Sequence, residues 1–148
     1  RGALSGLDLL PYMVFQIIGA TLGALLGNVI AGGSVPIAPA PDTPLLSAIL
    51  VEFLFTFALA LTVLNVATAQ GTEGNSFYGL AIGFTVMCGA FAGGGISGGA
   101  FNPAVGIALS VGALLSGTGG GWILLYILVP LAGGALAALV FKLQGNDV

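Results

Sequence analysis

Apolar residues run along this chain in long blocks, with polar, proline-rich or glycine-rich segments gathered between them. Leu9 to Pro41, Phe53 to Gln70 with its apolar lead-in, and Gly121 to Phe141 each carry no charge. Each has about as many residues as the roughly 20 that cross a hydrocarbon core as a helix, or more. Phe77 to Gly93 is a fourth such block, just long enough. The pattern predicts transmembrane helices over about 9–31, 45–69, 77–93 and 122–143. The first block outruns the h-region of a signal peptide, about 7–15 residues, so it is expected to be a mature span.

Local signals place the ends. Asp8 is a candidate N-cap for the first helix, with Pro11 still inside its first turn. Gly19, Gly23 and Gly27 recur every four residues and predict a face that a neighbouring backbone approaches closely. GGSVPIAPAPDTP, residues 32–44, is expected to be an extended connector outside the bilayer, and GTEGNS, 71–76, a polar turn. After Asn102 about 13 helix-compatible residues precede the turn SGTGGG at 116–121. At about 1.5 Å per residue they reach only the middle of the membrane, which predicts a re-entrant half-helix over about 103–115. The last helix contains Pro130 and a small-residue patch at Gly133, Gly134, Ala135, Ala137 and Ala138. Trp122 and Tyr126 near its start are expected at the membrane interface.

Composition confirms the solvent and removes several functions. Of 148 residues 57% are hydrophobic and 5% charged, so the chain is a multi-pass integral membrane protein in lipid rather than water. With two basic residues and net charge −3 there is no surface to track nucleic-acid phosphates. The two cations, Arg1 and Lys142, share one side when four spans are counted, and the positive-inside rule makes that side cytoplasmic. The proline-rich and re-entrant loops then face outward. The lone Cys88 sits within a span, forms no intrachain disulfide and is expected to pack.

GGISGGAFNPAVGIAL, residues 94–109, is where chemistry concentrates. Gly95 to Gly99 fits the G-x-S-x-G nucleophile pattern, but a serine nucleophile needs a general base and the chain has no histidine. An enzyme is therefore not expected. Packing alone does not explain irregular backbone at membrane depth, which is tolerated only when buried in protein or lining a watery cavity. Asn102-Pro103-Ala104 is a strong helix start, Asn as N-cap and Pro at the first position. An asparagine that caps with its carbonyl oxygen keeps its NH2 free to donate. Together with the positive helix end, that donor would orient water and repel cations. The backbone carbonyls of Gly98, Gly99, Ala100 and Phe101 are candidate acceptors along the same wall.

SGGAFNPAV, 97–105, resembles the Asn-Pro-Ala box of the major intrinsic protein family, the aquaporins and aquaglyceroporins. VEFLFTFALAL, 51–61, resembles that family's fourth span and FQIIGATLGALLG, 15–27, its third. The resemblance implies an all-α membrane protein of four transmembrane helices plus one re-entrant half-helix, part of a six-span, right-handed aquaporin-like bundle. It also implies a C-terminal piece without the first two spans and the first Asn-Pro-Ala box.

The function implied is a passive, cofactor-free channel for water or small neutral solutes, tetrameric and in the plasma (inner) membrane. Asn102, Pro103 and Ala104 form its constriction. Glu52 in a span would be a proton relay or, as the resemblance implies, a brace for loop backbone near the box; Gln16 is expected to brace likewise, and Ser97 to bond within the loop. Val105 stands where the resemblance implies a filter arginine, and Ala90 and Gly99 fall on the neighbouring filter positions. A filter of small or apolar side chains predicts tolerance of glycerol, urea or dissolved gases. A secondary transporter with a discontinuous helix is the other reading.

Overall fold

The computed structural model describes residues 4–34, 37–117 and 119–145, which places Arg1, Val35, Pro36 and Thr118 outside the described residues. The topology reading therefore rests, within them, on Lys142, which lies in the last turn of the final helix where a cation complements the helix dipole.

Ser5, not Asp8, starts the first helix, α1 (Gly6–Ala31). The Ser5 hydroxyl oxygen accepts from the Asp8 N–H at 3.2 Å and donates to Asp8 Oδ2 at 2.6 Å. Asp8 thus works from inside the first turn, its carboxylate accepting from the hydroxyl that caps the helix. Pro11 lies beyond that turn, within the helix. Gly32, at φ 71°, ends α1, and the Gly33 N–H returns to the Asn28 carbonyl at 3.0 Å.

Glu52 is buried on α2 (Leu45–Val63) together with Ala48 and Thr56, one residue per turn on one face. The helix runs on into a π-helical turn, Leu64–Thr68, and a short 3-10 turn, Gln70–Thr72. Asn75 secures this corner. Its Nδ2 donates to the Val66 carbonyl at 2.7 Å, and its Oδ1 accepts from the Tyr78 N–H at 2.8 Å, starting the next helix.

That helix, α3 (Tyr78–Ser97), is longer than the apolar pattern predicts, continuing from Gly93 to Ser97 through three glycines. Glycine is a poor helix former in isolation, but here its missing side chain is what lets α3 lie against α2. A Cβ on Gly93 would stand 2.5 Å from Val51 Cγ1, and one on Gly89 3.1 Å from Phe55 Cδ1. Cys88 lies one residue off this buried stripe and is exposed rather than packed.

The half-helix α4 (Pro103–Leu115) has 13 residues, and α5 (Ile123–Leu143) completes the set; the described residues contain no strand. Four helices, α1, α2 with its π-helical turn, α3 and α5, are long and apolar enough to cross a bilayer. They pack as a row, α3 on α2, α2 on α5, α5 on α4, and α4 on α1. The α2–α5 contact is the most extensive, because Gly133 brings the two backbones together: a Cβ there would be 2.6 Å from the Phe53 carbonyl oxygen. At the other end of the row the Gly19, Gly23 and Gly27 stripe does not make the expected close approach, and among the described residues no atom of another element lies within 4 Å of a Cβ placed on any of them. Gly23 and Gly27 instead line a groove of about 370 Å3 between α1 and α4, opposite Val105 and Ala108.

Candidate functional site

Five residues, 98–102, join α3 to α4, and three of them have left-handed backbone: Gly98 at φ 92°, Gly99 at 71° and Phe101 at 48°. The conformation costs glycine little and a phenylalanine about 1–2 kcal/mol. What it achieves is direction, since the turn points successive N–H groups at one acceptor. Glu52 Oε1 accepts from the Ala100 N–H at 3.0 Å and from the Ser97 hydroxyl at 2.7 Å. Glu52 Oε2 accepts from the Phe101 N–H at 2.8 Å. The Ser97 hydroxyl oxygen also accepts from the Gly99 N–H at 3.1 Å. Glu52 and Ser97 are fully buried, so these bonds form away from solvent, where leaving such groups unpaired would be most costly. The Phe101 ring settles on Phe55 with centroids 5.3 Å apart, further compensation for its backbone.

Other elements close on the loop from the far side. The hydroxyl of Tyr126 donates to the Ser97 carbonyl, and Tyr126 is fully buried, not interfacial as expected. Ile37, only 6% exposed, packs with Tyr126 and Ala100, and the Ala40 N–H donates to the Ile96 carbonyl at 3.0 Å. The proline-rich segment is therefore more than an outside connector. Its described part folds down over the glycine loop, because a large apolar side chain in a polar segment is more stable buried.

At the loop's end Asn102 caps α4. Its Oδ1 accepts from the Ala104 N–H at 2.9 Å, and its carbonyl receives the Gly106 N–H at 3.0 Å. The residue is exposed, and among the described residues nothing accepts from its NH2 group. It opens on a cavity of about 360 Å3 lined also by Phe101, Pro103, Thr56, Leu59 and Pro130. None of the carbonyls of Gly98, Gly99, Ala100 and Phe101 accepts a hydrogen bond among the described residues.

The remaining predicted residues fall on separate walls. Gly99 lies against Gly94 and the Phe101 ring, with most of its surface covered. Ala90 is exposed on α3, and Val105, 36% exposed, faces the groove between α4 and α1; α3 and α4 do not pack on each other. Gln16 does not join the loop. It is exposed near the start of α1, which packs on α4 alone, and it makes no hydrogen bond among the described residues. Among the described residues no three His, Cys, Asp or Glu side chains gather as metal ligands.

Tyr126 and Ile37 are the loop contacts that sequence reasoning missed. A tyrosine in an otherwise aliphatic span signals a hydroxyl that needs a partner, and a single isoleucine among prolines signals a buried anchor.

Comparison with known proteins matches residues 2–141 to the family described as Major intrinsic protein. Aquaporin TIP2-1 of Zea mays is 37% identical over 133 residues, covering 88% of this chain and 51% of that protein. Aquaporin AqpM of Methanothermobacter marburgensis is 29% identical over 146 residues, covering 93% of this chain and 59% of its own length. Probable aquaporin AqpM of Archaeoglobus fulgidus is 33% identical over 150 residues, covering 96% and 61%. The chain spans between half and two thirds of the length of these relatives.

Proposed function

Because the chain belongs to the major intrinsic protein family and is an integral multi-pass membrane protein, we propose that its re-entrant loop and half-helix form one half of a passive pore for water and small neutral solutes. The observation that carries this is Asn102, whose carbonyl oxygen is spent on the cap while its NH2 stays free at the positive end of α4. Beside it the unbonded carbonyls of residues 98–101 offer acceptors in file. A donor flanked by acceptors suits a hydrogen-bonding, uncharged permeant and opposes a cation. Glu52, with both oxygens engaged by the loop, supports a bracing role over a proton relay. We take residues 1–148 as part of one channel domain that assembles as a homotetramer in the plasma (inner) membrane; the exposed apolar length of α1, which buries no residue, supports further helix packing.

Val105 decides the permeant range. The resemblance implies arginine there, and valine at that position, with Ala90 and Gly99 at the other filter positions, makes a wide, uncharged mouth. Glycerol and urea are expected to pass alongside water. Stopped-flow light scattering on vesicles holding the full-length channel tests this, and water flux with both solutes excluded overturns the wide mouth. Val105→Arg is expected to lower glycerol and urea permeability about tenfold or more while sparing water, the scale of one added filter contact at about 1.4 kcal/mol per decade.

A further inference from the structure

Two buried side chains hold the loop from opposite sides, and the channel reading uses only one of them. Glu52 on α2 takes the loop's N–H groups. Tyr126 on α5 takes a carbonyl, that of Ser97, the last residue of α3. A terminal helix carbonyl has no partner within its own helix, and a buried tyrosine hydroxyl is equally short of one, so each satisfies the other.

The ring of Tyr126 is fixed as firmly as its hydroxyl. Gly106, the fourth residue of α4, sits against the base of the side chain, and a Cβ there would overlap Tyr126 Cβ. Pro130, one turn further along α5, has no N–H to give the Tyr126 carbonyl, and that freed oxygen would lie 3.2 Å from the same Cβ. Ile37 and Ala100 pack against the ring, with Leu109 and Leu125 around them. The hydroxyl also lies 3.0 Å from where a Cβ on Gly98 would be. One side chain thus touches the end of α3, the loop, α4 and the connector that follows α1.

We infer that Tyr126 is a positioning residue of the pore, its hydroxyl setting the register of the carbonyls of residues 98–101 relative to Asn102. The inference rests on the channel reading for its functional consequence. Glu52 holds the Ala100 and Phe101 N–H groups and the Ser97 hydroxyl, but it does not hold the Ser97 carbonyl, where α3 passes into the loop. Tyr126 supplies that second point, on the backbone of Ser97, three residues upstream of Ala100. Both holders belong to α2 and α5, which Gly133 seats backbone to backbone, so the two points keep a constant separation.

Tyr126→Phe in the full-length channel removes the hydroxyl and keeps the ring, so packing on Gly106, Ile37 and Ala100 survives. The expected result is a glycerol-to-water permeability ratio raised about fivefold, the factor that one lost hydrogen bond corresponds to, with a steeper temperature dependence of water flux. A wild-type ratio and slope in this variant overturn the inference. Ile37→Ala frees the same ring from its other side and is expected to shift the ratio in the same direction; if Tyr126→Phe does not accumulate, an unchanged ratio in Ile37→Ala overturns the inference instead. If the wild type conducts neither solute above protein-free vesicles, the channel reading fails alone. Hydrogen exchange then decides the positioning role: the amides of Ala100 and Phe101 are expected to exchange about fivefold faster in Tyr126→Phe, and equal protection overturns it.

Discussion

Glu52 shows why a single ionisable residue persists in a span otherwise free of charge. Its two oxygens accept three hydrogen bonds, two from loop N–H groups and one from Ser97, so the backbone that must turn inside the membrane is satisfied by one side chain. Lipid offers no alternative partner. Replacing one oxygen with an NH2 group sets donor against donor. Glu52→Gln is therefore expected to destabilise the protein by about 2–3 kcal/mol, read as a lowered midpoint in denaturant unfolding from detergent micelles. A larger loss is not expected, because Asn102 and Tyr126 still anchor the loop's two ends. Phe101 illustrates the other side of the arrangement: its left-handed backbone at φ 48° is held by the bond to Glu52 and by its ring on Phe55.

At the scale of elements, glycine sets distances. Gly93 and Gly89 bring α3 onto α2, Gly133 brings α5 onto α2, and Gly106 brings α4 onto α5. Helices in lipid gain nothing from hiding apolar surface as such, so close backbone contact is what favours one arrangement over another. Gly133 is the most demanding site, its absent Cβ standing 2.6 Å from the Phe53 carbonyl oxygen and 3.1 Å from the Phe57 nitrogen. Backbone cannot swing aside as a side chain can. Gly133→Val is expected to force α2 and α5 apart and cost about 1–3 kcal/mol, measured by the same unfolding titration, whereas Gly134→Val, with nothing within 4 Å, is expected to be nearly silent. A comparable loss in both variants would remove the backbone-contact account.

The whole molecule is a row of helices with a half-helix let into it, and its outer faces carry large apolar side chains such as Phe15, Leu22, Phe84, Phe91 and Leu128. That surface is stable only in lipid or against further helices. Cys88 reports on it. It lies near the middle of the 20-residue α3, on an exposed face, so the thiol is expected to meet hydrocarbon rather than water. A thiol shielded by lipid is out of reach of a reagent confined to water. In intact membranes N-ethylmaleimide is expected to label Cys88 slowly and a charged, impermeant maleimide not at all; rapid labelling by the charged reagent from either side would show that water reaches α3 at mid-depth.

How much of this was legible beforehand depends on the range of the interactions concerned. The spans, the short length of the half-helix and the Asn102-Pro103 cap follow from runs of neighbouring residues, because lipid thickness sets helix length and capping is a contact across three positions. A glutamate inside a span announced that it needed partners, and a motif implied which ones. Sequence by itself also determined the solvent, since 5% charge leaves no other choice. Tertiary structure alone decided where Gln16, Cys88, Tyr126 and Ile37 went. A span's apolar pattern is nearly uniform around its circumference, so which face is buried and which meets lipid has no periodic signature. The continuation of α3 through Gly93, Gly94 and Gly95 was decided in the same way: local propensity argues for a break there, and the packing of Gly93 against the Val51 and Phe55 side chains of α2 favours the helix.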